Sequence, residues 1–310
     1  METNTPVKIL QRRTSGGCIA GGFHLYSTIF RRLLRASWPV AVVYGLSVAA
    51  LLAYIVRSVL PLMELRTIVD PEAAASLWTM PAIITGVLVL VFVAVATVLS
   101  SYAVSAARSC LSTGDYPRPV HWWGRLDLSA LRLMAMVAVW LIVLTAVYVG
   151  VVALMVQMAR SMALTSLWVG AAVLALVLLA LILPLSYTVW QQFMAPKFSA
   201  MPPVRGYLSG LGHWGLLFVV ALITAIAALL LTLVTQLPAL ILLAANVQSA
   251  MGVVGGDDVG MPSSLWWLSL VVLFIGGFVQ AYVHLSTFFL FLFAWGSIRS
   301  EEELRSQANV

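Results

Sequence analysis

Histidine is the side chain best suited to ligate a metal ion or to transfer a proton near neutral pH. This chain of 310 residues has four, His24, His121, His213 and His284. His121 and His213 stand in two similar sequence motifs, HWWG and HWG, but neither has a carboxylate or thiol beside it at the spacing of a metal site. The sequence therefore predicts no metal site and no bound cofactor. A site for metal or lipid headgroups at these two histidines is the alternative.

Sequence motifs that would indicate catalysis are missing. The chain has no GxSxG, no GxxxxGK[ST], no HExxH and no CxxC, and no two carboxylates are placed for acid and base work. Asp257 and Asp258 come closest, but their glycine-rich surroundings are typical of a turn. We therefore predict that the protein is not an enzyme.

The composition identifies the environment in which these residues must be positioned. Hydrophobic residues make up 62% of the chain, charged residues only 9%, and the mean hydropathy is +1.02, which does not describe a soluble domain. A span needs about 20 mainly apolar residues. We predict an all-α, polytopic helical membrane protein with six transmembrane helices, because a spanning helix satisfies its own backbone hydrogen bonds. The predicted spans are Trp38–Leu60, Met80–Ala106, Leu131–Met158, Leu167–Met194, Trp214–Gln236 and Leu265–Trp295.

The fifth predicted span is followed by a further apolar run, PALILLAAN at 238–246, which would be a seventh span in the rival count. Pro238 and the Gly-Gly-Asp-Asp run at 255–258 favour another interpretation. We expect a kinked extension of the fifth span or a short helix at the outer surface.

Lysine and arginine indicate the orientation of the spans, because these residues accumulate in cytoplasmic loops. If both termini are cytoplasmic, only Arg57, Arg66 and Arg160 of the 17 basic residues lie outside. The net charge of +6 favours anionic headgroups over nucleic acid as the partner, because the basic residues flank spans. The sequence thus predicts a multi-pass protein of the cytoplasmic membrane with both termini inside. The predicted parts are a basic tail with an interfacial helix (1–37), a membrane domain (38–297) and a second tail (298–310).

Similar pairs of polar residues recur in the second, fourth and sixth predicted spans. Basic loops follow the first two, and both loops contain a Pro-Val pair. This register predicts three helical hairpins over about 1–106, 107–196 and 197–300. The alternative is that residue pairs this short recur by chance. The recurring polar pairs are Ser101-Tyr102, Ser186-Tyr187 and Ser286-Thr287.

Polar groups within the spans are the remaining candidates for function, because such groups are costly in the membrane. His284 is expected near mid-bilayer, and Gln280 lies one helical turn earlier on the same face. The two side chains either bond a neighbouring helix, favoured by close approach at Gly276 and Gly277, or line a cavity.

A second set of polar residues gathers near the inner ends of the second and fourth spans. These side chains either join helices to each other or form a polar vestibule, and we favour the first interpretation. The principal candidates are Ser101, Tyr102, Ser186 and Tyr187.

The segment 23–36 has the pattern of an interfacial amphipathic helix. Its polar face is expected to hold His24, Ser27, Thr28, Arg31, Arg32 and Arg35, and its apolar face Phe23, Tyr26, Phe30, Leu33 and Leu34. A comparable stretch is Leu126–Met134. Such helices either only orient the following span, or sense lipid or dock a partner. The candidate lipid-binding residues are Arg31, Arg32 and Arg35.

The stretch FHLYSTIFRRLLRASWPV, followed by helical hairpins with basic segments between them, resembles a group of uncharacterised bacterial six-helix inner-membrane proteins. It is also distantly similar to the membrane domain of glycerophosphodiester phosphodiesterases. The resemblance rests on the pattern of the whole chain, and it implies a location in the bacterial inner membrane.

Two functions follow from these observations. The first is a non-enzymatic scaffold or accessory subunit that binds anionic lipid, a protein partner or a second copy of itself. The second is a transporter of lipid or a small molecule with a cavity among the hairpins. The absence of a charged residue in the centre of the predicted spans favours the first.

Overall fold

The computed structural model describes residues 8–64, 71–113, 164–194, 204–254 and 262–308, together with most of 131–151. Within these ranges the regular structure is entirely helical, which confirms the predicted all-α class. Short helical pieces within 131–151 lie between the second and third long helices. The principal helices are α1 (Ser15–Glu64), α2 (Pro71–Thr113), α3 (Leu164–Met194), α4 (Val204–Gly212), α5 (Trp214–Val254) and α6 (Ser263–Ala308).

Five of these helices, α1, α2, α3, α5 and α6, are long and apolar enough to cross a membrane. The chain is therefore a polytopic helical membrane protein, as predicted. The predicted third span, Leu131–Met158, lies only partly in the described residues, where Met134–Val143 is a shorter apolar helix. Its outer part, and the segment 114–130 with HWWG, lie outside the described residues.

Two helices are longer than the predicted spans, and the extension of the fifth span is one of the two expected alternatives. α1 runs without a break for 50 residues, so the segment 23–36 and the first span form one helix. α5 likewise continues through Pro238 to Val254, so the run 238–246 extends the fifth span. At 1.5 Å per residue the 41 residues of α5 measure about 60 Å, roughly twice the hydrocarbon thickness of a bilayer.

The helices divide into two compact units, and α1, α2, α5 and α6 contribute residues to both. Unit 1 comprises Met1–Ala36, Ser101–Ala225 and Ser286–Val310. Unit 2 comprises Ser37–Ser100 and Ile226–Leu285.

Unit 2 packs small residues at its helix contacts. Its buried core contains Ala49, Ala53 and Ala239 with Leu243 and Leu273. Small side chains let membrane helices approach closely, so that van der Waals contact can hold them together without a hydrophobic driving force.

α1 and α6 approach each other closely in unit 2. A Cβ atom added at Gly277 would lie 3.0 Å from the Cα of Gly45 and 3.0 Å from the Cβ of Val48. A Cβ added at Gly45 would lie 2.9 Å from the carbonyl oxygen of Phe274. Glycine is needed at both positions because backbone meets backbone there.

Unit 1 packs the first part of α1 against the last part of α6. Leu25, Ile29 and Leu33 form a buried stripe on α1 at helical spacing. Gly22 lies against Leu290, since an added Cβ would come within 2.8 Å of that residue's Cα. The apolar side of this segment is thus occupied by protein.

The short helix α4 packs alongside α3 in unit 1. A Cβ added at Gly210 would lie 2.7 Å from the carbonyl oxygen of Pro184. The indole Nε1 of Trp214 donates a hydrogen bond to the carbonyl oxygen of Ala180 at 3.3 Å. Trp214 therefore lies beside the middle of α3.

Candidate functional site

Unit 2 joins His284 on α6 to Ser100 on α2. The two side chains are 3.0 Å apart between His284 Nε2 and Ser100 Oγ. Ser100 donates its one proton to the carbonyl oxygen of Ala96 at 2.7 Å, so its oxygen accepts from the imidazole. The ring of Tyr44 stacks on this imidazole with centroids 6.4 Å apart and an interplanar angle of 16°. His284 is thus fixed by neighbours on two other helices.

Other polar residues of unit 2 also connect α5 to α6. The Thr232 hydroxyl donates to Gln280 Oε1 at 2.9 Å, one turn before His284. Further along, Asn246 Nδ2 donates to Ser269 Oγ at 2.9 Å. The sequence placed Gln280 and His284 on one face of a helix, and each bonds a different neighbour.

On α5, Gln236 lies between Thr232 and Asn246, and its side-chain oxygen makes no hydrogen bond within the described residues. The residue is 8% exposed. The amide lies directly against Gly276, where an added Cβ would come within 2.5 Å of Oε1. Close packing at this point leaves no room for a ligand between the amide and the α6 backbone.

The predicted pairs Ser101-Tyr102 and Ser186-Tyr187 all lie in unit 1. Ser101 is fully buried, and Ser186 donates to the carbonyl oxygen of Leu183 at 2.7 Å. Tyr102 is 2% exposed, and its hydroxyl has no hydrogen-bond partner in the part of the chain that the structure describes. Tyr187 is 1% exposed and has an ionic partner, which the sequence analysis did not anticipate.

That partner is Glu302, near the end of α6. The Tyr187 hydroxyl donates to Glu302 Oε2 at 2.6 Å, and the hydroxyl of Ser209 on α4 donates to Oε1. Arg299 approaches the same carboxylate from one turn earlier on α6, at 3.9 Å. Glu302 thereby connects α3, α4 and α6 within unit 1. Bonds to a charged acceptor are stronger than those between neutral groups.

The neighbouring Glu301 also gathers partners from several elements. Arg305 pairs with its Oε1 at 2.7 Å. The guanidinium of Arg12 and the imidazole of His213 each lie 3.8 Å from its Oε2. His213 occupies the turn between α4 and α5. The HWG motif thus contributes the His213 side chain to the group of residues around Glu301.

The residues before α1 lie against the end of α6. Ser297 Oγ accepts from the backbone N–H of Arg13 at 2.9 Å and donates to its carbonyl oxygen at 3.1 Å. Gly296 admits the carbonyl oxygen of Ile9, which a Cβ would block. The Arg13 guanidinium lies 5.2 Å from the centre of the Phe293 ring. Residues 9–13 are therefore an ordered part of unit 1.

The arginine face of α1 is exposed, with Arg31, Arg32 and Arg35 along it. Phe23, expected on the opposite face, is 38% exposed and so belongs partly to the exposed side. The buried stripe is instead centred on Leu25 and Ile29, in the part of α1 where Gly22 lies against Leu290 and Tyr26 against Phe289 of α6.

No group of three or more histidines, cysteines and carboxylates suited to a metal ion is found in the described ranges. Cys18 and Cys110 are buried and form no disulfide within the described residues.

No protein-family model, characterised protein or solved structure matches this chain. The resemblance to bacterial six-helix inner-membrane proteins and to the phosphodiesterase membrane domain stays a prediction.

Proposed function

We propose that this chain is a non-enzymatic scaffold of the bacterial inner membrane, with both termini in the cytoplasm, that binds anionic lipid through α1. The observation that carries the proposal is the exposure of Arg31, Arg32 and Arg35 on α1, while Leu25 and Ile29 on the same segment are buried. A protein partner or a second copy of the chain could assemble on the lipid-bound form.

The charge of this face supports a headgroup as its ligand. The three arginines lie within five residues of each other on one helix, just before the apolar part of α1. Each basic residue near an anionic membrane surface contributes about 1 kcal/mol. Three together amount to about 3 kcal/mol, or roughly a hundredfold in affinity.

The bonding of unit 2 supports a scaffold rather than a transporter. His284, Gln280 and Asn246 each bond a side chain on another helix. Polar groups satisfied in this way hold membrane helices together and are not presented to a passing substrate. A transporter of lipid or a small molecule remains the alternative function. That alternative requires these bonds to open.

Lipid titration followed by native mass spectrometry tests the proposal. The purified protein is titrated with phosphatidylglycerol or phosphatidylcholine, and a variant with Arg31→Gln, Arg32→Gln and Arg35→Gln is compared with Arg57→Gln. Arg57 is a matched control because it is exposed on the same helix, in unit 2.

We expect the triple variant to lose most of its preference for phosphatidylglycerol and the control to keep it. Equal headgroup preference in the wild type and the triple variant would refute lipid binding by this face. Binding of substrate that depends on Gln280 and His284 would instead favour the transporter.

A further inference from the structure

The imidazole of His213 lies between a backbone carbonyl and a carboxylate of unit 1. Its Nδ1 is 3.0 Å from the carbonyl oxygen of Ser209, one turn earlier. Its Nε2 is 3.8 Å from Glu301 Oε2 and has no hydrogen-bond partner in the described structure. The His213 side chain is only 15% exposed, so little water can reach the ring.

This geometry determines which nitrogen carries the proton in the neutral ring. A carbonyl oxygen can only accept, so the Nδ1 that faces Ser209 must be the donor. The neutral imidazole has one N–H, which leaves Nε2 with a lone pair. That lone pair faces the carboxylate of Glu301, and two acceptors cannot bond each other.

We infer that His213 is a pH-dependent contact, which forms a hydrogen-bonded ion pair with Glu301 when the ring is protonated. A proton from the solvent binds to Nε2, and the new N–H then donates to Glu301 Oε2 while Nδ1 keeps its bond to Ser209. The contact changes from two opposed acceptors to a charge-assisted hydrogen bond. Histidine is the side chain suited to this change between pH 5 and 8.

Charged side chains from several elements of unit 1 surround the ring. Glu301 faces Nε2 directly, and Glu302 lies one residue further, bonded to Ser209 and Tyr187. The basic groups nearest to these carboxylates are engaged on α6 or belong to the segment before α1. They are Arg305 and Arg12 on Glu301 and Arg299 on Glu302 and Glu303.

Protonated His213 adds a second link between two parts of unit 1 that the bond of Ser209 to Glu302 already joins. His213 forms the turn between α4 and α5, and Glu301 lies near the end of α6. Arg12 faces the same oxygen of Glu301, and its side chain is 72% exposed. Protonated His213 therefore competes with Arg12 and becomes the better-shielded partner of that oxygen.

Hydrogen exchange measured by mass spectrometry at pH 5.5 and 7.5 tests this inference on the full chain in detergent. After correction for intrinsic rates, we expect peptides covering 209–217 to exchange about fivefold more slowly at pH 5.5, the effect of one partly shielded ion pair. His213→Gln should lose this difference. His24→Gln is the matched control, because His24 is exposed on α1, and it should keep the difference.

A second variant keeps the test decisive if His213→Gln fails to fold. Glu301→Gln removes the negative charge that pairs with the protonated ring. It should also abolish the slower hydrogen exchange of peptides covering 209–217 at pH 5.5. Persistence of that slower exchange in either folded variant would overturn the inference. The lipid titration of the arginine face uses other residues, so either proposal can fail without the other.

Discussion

Gly277 offers the sharpest test of the packing in unit 2, because its contact with α1 is through backbone atoms. Its added Cβ would lie 3.0 Å from the Cα of Gly45. A Cβ in a helix ordinarily favours folding over glycine by roughly 0.5–1 kcal/mol. Overpacking against an unyielding neighbour costs about 1–3 kcal/mol. Gly277→Ala should therefore lower the free energy of unfolding by about 1–2 kcal/mol.

Gly86→Ala is the matched control for this substitution. Gly86 lies on α2 in unit 2, and no atom is within 4 Å of an added Cβ there. The control should gain up to about 1 kcal/mol, since it obtains the helix propensity without a steric cost.

Unfolding of both variants by titration with sodium dodecyl sulphate in mixed micelles, followed by circular dichroism, gives the comparison. The two variants should differ by about 2 kcal/mol with opposite signs relative to the wild type. A Gly277→Ala variant as stable as Gly86→Ala would refute the close contact of α1 and α6.

Two further predictions concern the polar bonds. Changing His284 and Ser100 to alanine, singly and together, should give a coupling energy of about 0.5–2 kcal/mol in mixed-micelle unfolding, because their bond joins two helices; additive effects would contradict it. Tyr187→Phe should destabilise the protein by about 1.5–3 kcal/mol in the same assay, since Glu302 loses a charge-assisted bond. Tyr54→Phe, at a partly buried residue of α1, is the control and should have little effect. Equal losses in the two variants would contradict this role of Tyr187.

Much of the cluster at the end of α6 was missed in the sequence, although one local signal was present. The run SIRSEEELR places Arg299 four residues before Glu303 and Glu301 four residues before Arg305, and both pairs form. Nothing local, however, indicates that Tyr187 bonds Glu302, since 115 residues separate them.

The polar residues of unit 2 illustrate the same limit. Helical periodicity places Gln280 and His284 on one face of α6, because residues four apart are neighbours on a helix. Their partners Thr232 and Ser100 are 48 and 184 residues away. Which polar residue faces which depends on the packing of different helices, and that packing is not encoded in any short stretch.

The sequence by itself determined that the chain is an all-α membrane protein with long apolar helices. Only segments that satisfy their own backbone hydrogen bonds can cross the hydrocarbon core of a bilayer, and long apolar runs identify such segments directly. It also placed the exposed arginines of α1 on one face, since that pattern is local. The tertiary structure decided that α1 continues from the segment 23–36 into the first span and that the run 238–246 extends α5. It also decided that Leu25 and Ile29 are buried, and that Glu301 and Glu302 gather side chains from other elements. These outcomes depend on contacts between residues far apart in the chain, where shape and hydrogen bonding select one arrangement among many that the same apolar pattern permits.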